Sequence, residues 1–330
     1  MIGPFPKIVP ELDYTSDNLI DVYHNSLKKK VVSRLFHSLI IGDDGSIYML
    51  SRKTGELHYQ HLANMTLALV CYNDYLRTND KKYLEGLYRE FNKLMDCIEI
   101  NETIDSDNNV KKIAGWKLGY GVHLKGYPEP KRSFSALSLG RALNLMIRYY
   151  QLKPSEDVEN LIEYVLNSFE TLSDDGGVLK EEKNTDGTIN TWYLEYSYGK
   201  DSPVVYNGFL SALIGLYETS KYGPEAIREK AKVLFDKGFN TLLNNIDNIA
   251  YNGKHLQWLR YDNNLLFFAD GDYVDIKLKQ LNYLYEKTNN PKIKETIELW
   301  EKIRKDNKFR ASIFEWVNYL YKKGIINLKS

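Results

Sequence analysis

Trp192-Tyr-Leu-Glu-Tyr-Ser-Tyr-Gly-Lys-Asp-Ser-Pro-Val-Val-Tyr-Asn-Gly-Phe209 runs without interruption into Leu210-Ser-Ala-Leu-Ile-Gly-Leu-Tyr217. The second part reads as a regular helix. The first part crowds aromatic rings, Glu195, Asp201, Asn207 and Gly208 into the approach to it. A helix entrance needs a cap and one or two staple residues; it does not need that much titratable and stacking chemistry. Such residues gathered where a loop meets a helix suggest a pocket for a polar, flat-faced ligand, and a sugar fits.

Outward from this helix, helical periodicity comes in pairs. Ser202 to Tyr222 pairs with Pro224 to Leu243, with Pro224 suited to a first-turn position. The other pairs are Tyr59 to Arg77 with Lys81 to Ile98, Phe134 to Gln151 with Ser155 to Thr171, and Asp272 to Lys287 with Pro291 to Lys305. In each pair the first helix ends in tyrosines, such as Tyr72 and Tyr75 or Tyr149 and Tyr150. That regular recurrence is a repeat signature. Asn18 to Leu39 and Phe309 to Lys323 read as a fifth pair split between the chain ends. A chain of helical hairpins that closes its first element on its last is an all-α fold, an α/α toroid. An open solenoid would need polar caps, whereas the last helix carries Phe314, Trp316, Val317 and Leu320. The expectation is one toroid domain over residues 1–330.

Turn-rich stretches separate the pairs: Asp43 to Leu50, Val110 to Leu118, Asp174 to Leu179, and Ala250 to Asn263. Their Asp-Gly steps and alternating residues predict short β-hairpins at one mouth of the toroid. Trp116, Trp192 and Trp258 fall in or beside them. Each is read either as a loop anchor or as a stacking wall for a sugar ring.

Composition narrows the partners. The 330 residues carry 44 Lys plus Arg and 44 Asp plus Glu, so no global field draws in nucleic acid. No apolar run approaches the roughly 20 residues of a membrane span. The N-terminus has neither the basic start nor the apolar core of a signal peptide, which predicts a cytoplasmic protein. Cys71 and Cys97 lack metal spacing and read as buried free thiols on helices, with a disulfide the unsupported alternative. His58 and His61 read as helix-surface residues, and with His123 they form no metal set. The expectation is neither metal nor cofactor.

Segment 192–218 resembles the C-terminal catalytic domain of the D-glucuronyl C5-epimerases, which convert glucuronate to iduronate in heparan-type polymers. The family pattern is a Glu-Tyr pair, a short loop, Val-Leu-Asn-Gly-Phe, then a Ser-Leu-Ile-Gly-Leu-Tyr helix. Here it reads Glu195-Tyr196, Val205-Tyr-Asn-Gly-Phe209 and Ser211-Ala-Leu-Ile-Gly-Leu-Tyr217. Ser135-Ala136, Gly140, Ala142, Arg148 and Tyr150 match upstream, followed by Gly176-Gly-Val178. Tyr261-Asp262, Tyr273 and Gln280-Leu281 match downstream. The likeness runs from about Gly115 to Lys305. Leu139, Leu194, Ser197, Asn264, Val274 and Lys277 depart from the pattern, the last two replacing histidines. The resemblance implies an α/α toroid fold and an isomerase acting on a uronate-containing oligo- or polysaccharide. Animal members carry a β-rich region before this domain; without one, pairing into a homodimer would wall off the substrate groove.

Inverting C5 of a uronate requires removing a weakly acidic proton beside a carboxylate and returning one on the opposite ring face. The developing enediolate needs donors or cations, and each face needs its own acid-base group. The resemblance places Tyr196 and Tyr273 in those two roles, Glu195 as base or as partner to Tyr196, and Tyr261 beside the substrate carboxylate. Tyrosine bases require pKa values well below about 10. In an extended segment Glu195 and Tyr196 would point to opposite sides, so only one faces the sugar unless the chain kinks. Arg260 is the first candidate for the substrate carboxylate, then Lys277, Lys200 and Arg132. Asn207 reads either as helix-start chemistry or as a substrate hydrogen-bond partner. A lyase or hydrolase on uronate glycans is the competing reading, and a non-catalytic glycan-binding toroid the third.

Overall fold

A computed structural model describes residues 37–51, 55–104, 108–116, 134–253, 256–263, 268–269 and 271–306. The described part is mostly helical, with small antiparallel sheets. Its helices form four hairpins: α1 (His61–Thr78) with α2 (Lys81–Asp96), α3 (Ala136–Leu152) with α4 (Glu156–Glu170), α5 (Tyr206–Tyr222) with α6 (Glu225–Asn245), and α7 (Gly271–Thr288) with α8 (Pro291–Asp306).

The breaks between paired helices follow from local chemistry. Asn79 ends α1 in the left-handed region at φ 56°, and Asp80 caps α2 by accepting from Lys82 N. Ser155 caps α4 through Val158 N, and Glu156, Asp157 and Glu159 favour its positive end. Asn290 accepts from Lys292 N and Ile293 N at the start of α8. Pro224 stands at the N-cap of α6, one position before the expected first turn, with extended ψ 140°.

The odd-numbered helices pack side by side in the order α1, α3, α5, α7, and each carries its even-numbered partner on the outside. Helix α3 is buried from Ala136 to Met146 except at one residue, and α5 is buried from Tyr206 to Leu216, as expected for helices with neighbours all round. They cross closely because Gly140 and Gly215 face each other. A Cβ at Gly140 would sit 2.5 Å from Ser211 O, and one at Gly215 would meet Gly140 O.

A buried polar knot ties this inner layer. Arg148 of α3 donates to both carboxylate oxygens of Glu218 on α5, at 2.6 and 3.1 Å. Asn144 Nδ2 and the Tyr283 hydroxyl of α7 also donate to Glu218, and the Arg148 guanidinium lies 6.0 Å from the Tyr72 ring of α1. All four inner helices therefore meet at one carboxylate.

The β elements are β1 (His37–Ile41), β2 (Ile47–Ser51), β3 (Leu57–Tyr59), β4 (Glu99–Ile104), β5 (Val110–Gly115), β6 (Leu179–Lys183), β7 (Ile189–Tyr193), β8 (Ala250–Gly253) and β9 (Leu256–Leu259). The first three make one antiparallel sheet, and the rest pair as the hairpins β4–β5, β6–β7 and β8–β9. Each of these hairpins links the C-terminus of an outer helix to the N-terminus of the next inner one.

Several expectations need correction. Tyr59 and His58 lie in β3, and α1 begins only at His61. The outer helix expected to run to Ile98 stops at Asp96, because Glu99–Ile104 alternates half-buried and exposed residues as a strand. Gly176 (φ 92°) closes a 3-10 turn, and the β6–β7 reversal falls at Asn184 to Gly187 instead. Residues 202–205 are not helical, since Val205 bridges to Asp262. Cys71 is buried, but Cys97 is exposed just past α2; both are free thiols. The helices expected over 18–39 and 309–323, whose meeting would close the ring, lie outside the described residues apart from 37–39, which belong to β1. Arg132, His123 and Asn264 also lie outside.

Candidate active site

The chain after β7 turns into a bend at Glu195 and Tyr196. Leu194 holds its root: its N–H donates to Val178 O, and its carbonyl accepts from Ala136 N at the start of α3, both at 2.9 Å. The entrance to α5 is stitched to the segment after β9. Tyr206 N donates to Tyr261 O, Asn263 N to Val204 O, and Val204 N to Asn263 Oδ1 at 2.7 Å. Helix α7 supplies Tyr273 and, one turn later, Lys277. Four separate parts of the chain therefore meet at the N-terminus of α5.

Glu195 is 4 % exposed. Its Oε2 accepts from Asn207 Nδ2 at 3.1 Å, and its carboxylate also accepts from Gly208 N–H and the Tyr196 hydroxyl. The N-cap of α5 is Val205, which has no side-chain acceptor; Glu195 supplies the acceptor instead, at the positive end of the helix. Asn207 is therefore not the cap. It steers the carboxylate that caps, and its Oδ1 has no hydrogen-bond partner among the described residues. The carboxylate lies so close to the helix that a Cβ on Gly208 would fall 2.5 Å from Oε2. Burial pushes the Glu195 pKa up to about 7, against the opposing pull of Tyr196, Asn207, Lys277 and Gly208.

The three tyrosines named from sequence gather here. The Tyr261 hydroxyl donates to Tyr196, and Tyr196 donates to Glu195. The Tyr273 ring packs edge-on against Tyr261, with centroids 5.1 Å apart and planes at 83°. Glu195 and Tyr196 do not diverge as they would in a straight strand, because the bend lets adjacent side chains meet. The expectation of a lowered pKa fails for Tyr196. Burial, then the Glu195 charge, holds Tyr196 and Tyr261 well above 10. Both are neutral phenols that hold their protons, and Glu195 is the group poised to ionise near neutrality.

The cation and tryptophan readings are mostly corrected. The Arg260 guanidinium stacks over Tyr251 at 5.6 Å from the ring centroid and lies beside Tyr206. Lys277 is fully buried; its ammonium donates to Arg260 O and lies 5.7 Å from the Tyr206 ring centroid. Lys200 is exposed, and its backbone N–H rests on Asp174 Oδ1. Trp116, Trp192 and Trp258 are 2 %, 3 % and 0 % exposed. Their indole N–H groups are taken by Leu94 O, Glu182 Oε2 and Ala269 O, so they anchor loops and offer no open face to a sugar.

Three more residues contribute; the family pattern contains Gln280 and Gly208 without giving them these roles, and Tyr198 was passed over by sequence reasoning. Gln280 Nε2 donates to Asn207 O at 2.9 Å, bracing the α5 entrance from α7; it lies one turn beyond Lys277, so the helical period carried the signal. Tyr198 lies nearly parallel to Tyr196 at 6.0 Å, and burial with the Glu195 charge lifts its pKa to about 12. Its place in the 192–209 cluster was the available hint. Gly208 is needed for close approach to Glu195, a contact between distant positions that local sequence does not encode.

Residues 110–302 match the family described as D-glucuronyl C5-epimerase C-terminus. That is more than half of the chain, and the chain belongs to this family. Among solved structures, it is similar to a cellobiose 2-epimerase from Spirochaeta thermophila DSM 6192, at 11 % identity over 93 % of this chain and 76 % of that one, with a TM-score of 0.48. An unsaturated glucuronyl hydrolase from Streptococcus agalactiae aligns at 15 % identity over 61 % of this chain, with a TM-score of 0.38. The aligned part spans half the length of that hydrolase.

Proposed function

We propose that the chain is a glycan-modifying isomerase that inverts C5 of a hexuronate, of the glucuronate-to-iduronate kind, in a uronate-containing oligo- or polysaccharide. The observation that carries this reading is the hydrogen-bonded series Tyr261, Tyr196, Glu195, which ends on a buried carboxylate titrating near pH 7. Family membership supports it.

In the resting site Tyr261 occupies a lone pair of Tyr196. When a uronate binds, the Tyr261 hydroxyl turns to the substrate carboxylate and frees that lone pair. Tyr196 then takes the C5 proton while its own proton passes to Glu195, so no free phenolate forms. The C5–H electron pair moves into the C5–C6 bond and the carboxylate becomes an enediolate, which Tyr261 stabilises by donating to it. Tyr273 donates a proton to C5 on the other ring face. Glu195 loses its gained proton to solvent and Tyr273 recovers one, which balances the cycle. The unpartnered Asn207 Oδ1 accepts from a sugar hydroxyl.

The same reading takes the inner and outer helices as part of one α/α toroid spanning the chain, with 18–36 and 309–323 supplying the closing pair.

Incubation with uronate oligosaccharides in D2O, followed by NMR, tests the reaction. Deuterium at C5 with signals of the inverted sugar is the expected result. A C4–C5 double bond would mean a lyase, and new reducing ends without one a hydrolase. Binding shifts alone would leave a glycan-binding protein, and any of these three outcomes overturns the proposal.

A further inference from the structure

Lys277 is the one fully buried lysine among the described residues, and the reaction above gives it no contact with substrate. Lysine is almost never fully buried without compensation. Here the compensation is specific. The ammonium donates to the carbonyl of Arg260, the residue immediately before Tyr261. It also lies 5.7 Å from the ring centroid of Tyr206, the residue immediately before Asn207. Its own helix carries Tyr273 one turn earlier and Gln280 one turn later, and Gln280 donates to Asn207 O. A single amine thus touches the chain beside two direct or indirect partners of Glu195 and rides on the helix that brings the third tyrosine.

We propose that Lys277 is a positioning residue that fixes Tyr261 and the α5 entrance around Glu195 and supplies the buried counter-charge of that carboxylate. This deepens the C5-epimerase reading and rests on Glu195 being the proton acceptor in it. Among the described residues, the groups that face Glu195 are Tyr196 and Tyr198 from its own loop, Asn207 and Gly208 from α5, Tyr261 from the segment after β9, and Lys277 from α7, while Tyr273 of α7 acts on Tyr196 and Tyr261. Lys277 is the cation in that set. Arg260 and Asp262 act on Tyr206. Without Lys277, burial would act on Glu195 unopposed by charge. The carboxyl would stay protonated at neutral pH, unable to take a proton from Tyr196.

The test reads the carboxyl directly, in ligand-free protein. Carbon-13-labelled glutamate is followed by NMR through a pH titration, with the Glu195 signal assigned by its loss in Glu195→Gln. In Lys277→Met the Glu195 titration should move upward by up to about one unit relative to wild type. Lys277→Gln keeps a donor for Arg260 O but carries no charge. It should show the same shift, and it serves if Lys277→Met does not fold. An unmoved titration in a folded variant overturns the proposal. Activity gives a second readout: the rise of C5 exchange with pH should shift upward by the same amount, whereas a purely structural role would lower the rate equally at all pH values. If the wild type exchanges no uronate, the functional reading fails, yet the titration still decides the role of Lys277.

Discussion

Asn207 Nδ2 donates to Glu195 Oε2 at 3.1 Å, and the next backbone N–H, that of Gly208, points at the same carboxylate. Helix α5 therefore begins by grasping an acid from the preceding loop. The acid serves two purposes at once. It satisfies a helix terminus whose N-cap is a valine, and it ends the hydrogen-bonded series that starts at Tyr261. The pKa of about 7 records that compromise, because burial disfavours the charge that the helix and its donors favour.

The compromise makes stability depend on pH in a definite direction. Glu195 titrates at about 7 in the folded chain against 4.5 for an ordinary glutamate. A raised carboxyl pKa means the folded state holds the proton more tightly than the unfolded state. The associated stability is present below about pH 4.5 and is lost as pH rises through 7. Glu195→Gln removes this dependence. Above pH 7.5 the variant should be more stable than wild type, by up to about 3 kcal/mol, and the gap should narrow towards pH 5. Thermal melts of both proteins across that range check it. A pH-independent difference would mean Glu195 is ionised throughout.

Gly208→Ala is expected to impair the site without removing any reacting group. The added methyl would arrive 2.5 Å from Glu195 Oε2 and 2.6 Å from its Cβ, so the loop must shift. The shift separates the carboxylate from Asn207 and from Tyr196. We expect at least about a hundredfold loss of C5 exchange, the scale of a displaced acid-base group, while the melting temperature falls by a few degrees. Near wild-type exchange would show that the carboxylate position does not matter.

Helix pairing was legible in the sequence because capping residues and prolines act locally, but several boundaries slipped, and the Asp175-Gly176 step expected to turn a hairpin closes a 3-10 turn instead. The four acid-base residues were legible through family resemblance, and their meeting depends on contacts 65 or more residues apart between the Glu195 loop and the Tyr261 and α7 segments. What the sequence concealed was environment. Tyr196 looked like a base of lowered pKa, yet burial beside Glu195 keeps its proton on. Three tryptophans read equally as loop anchors or sugar walls, and burial with each indole N–H satisfied inside the fold makes them anchors. Lys277 looked like a ligand contact and proves to be fully enclosed. Burial depends on packing of whole elements, which alternation and spacing along one segment do not report.

The knot at Glu218 should dominate the stability of the inner helices. Its carboxylate receives Arg148, Asn144 and Tyr283, with no route to water. Glu218→Ala leaves the Arg148 guanidinium buried without its carboxylate, at a cost of about 3–5 kcal/mol. Replacing both, as Arg148→Met with Glu218→Leu, should recover much of that loss. Chemical denaturation of the single and double variants measures it. Strict additivity of the two substitutions would contradict a coupled pair.

The most direct measurement of the central claim is the rate of deuterium entry at C5 of a uronate oligosaccharide, taken on wild type, Tyr196→Phe and Tyr273→Phe under identical conditions. Circular dichroism shows whether each variant keeps its helices. Removal of either hydroxyl should leave the fold intact and slow C5 exchange by about a hundredfold or more. Wild-type exchange in a folded Tyr196→Phe protein would contradict the account, because the proton would then reach Glu195 by some other path or not at all.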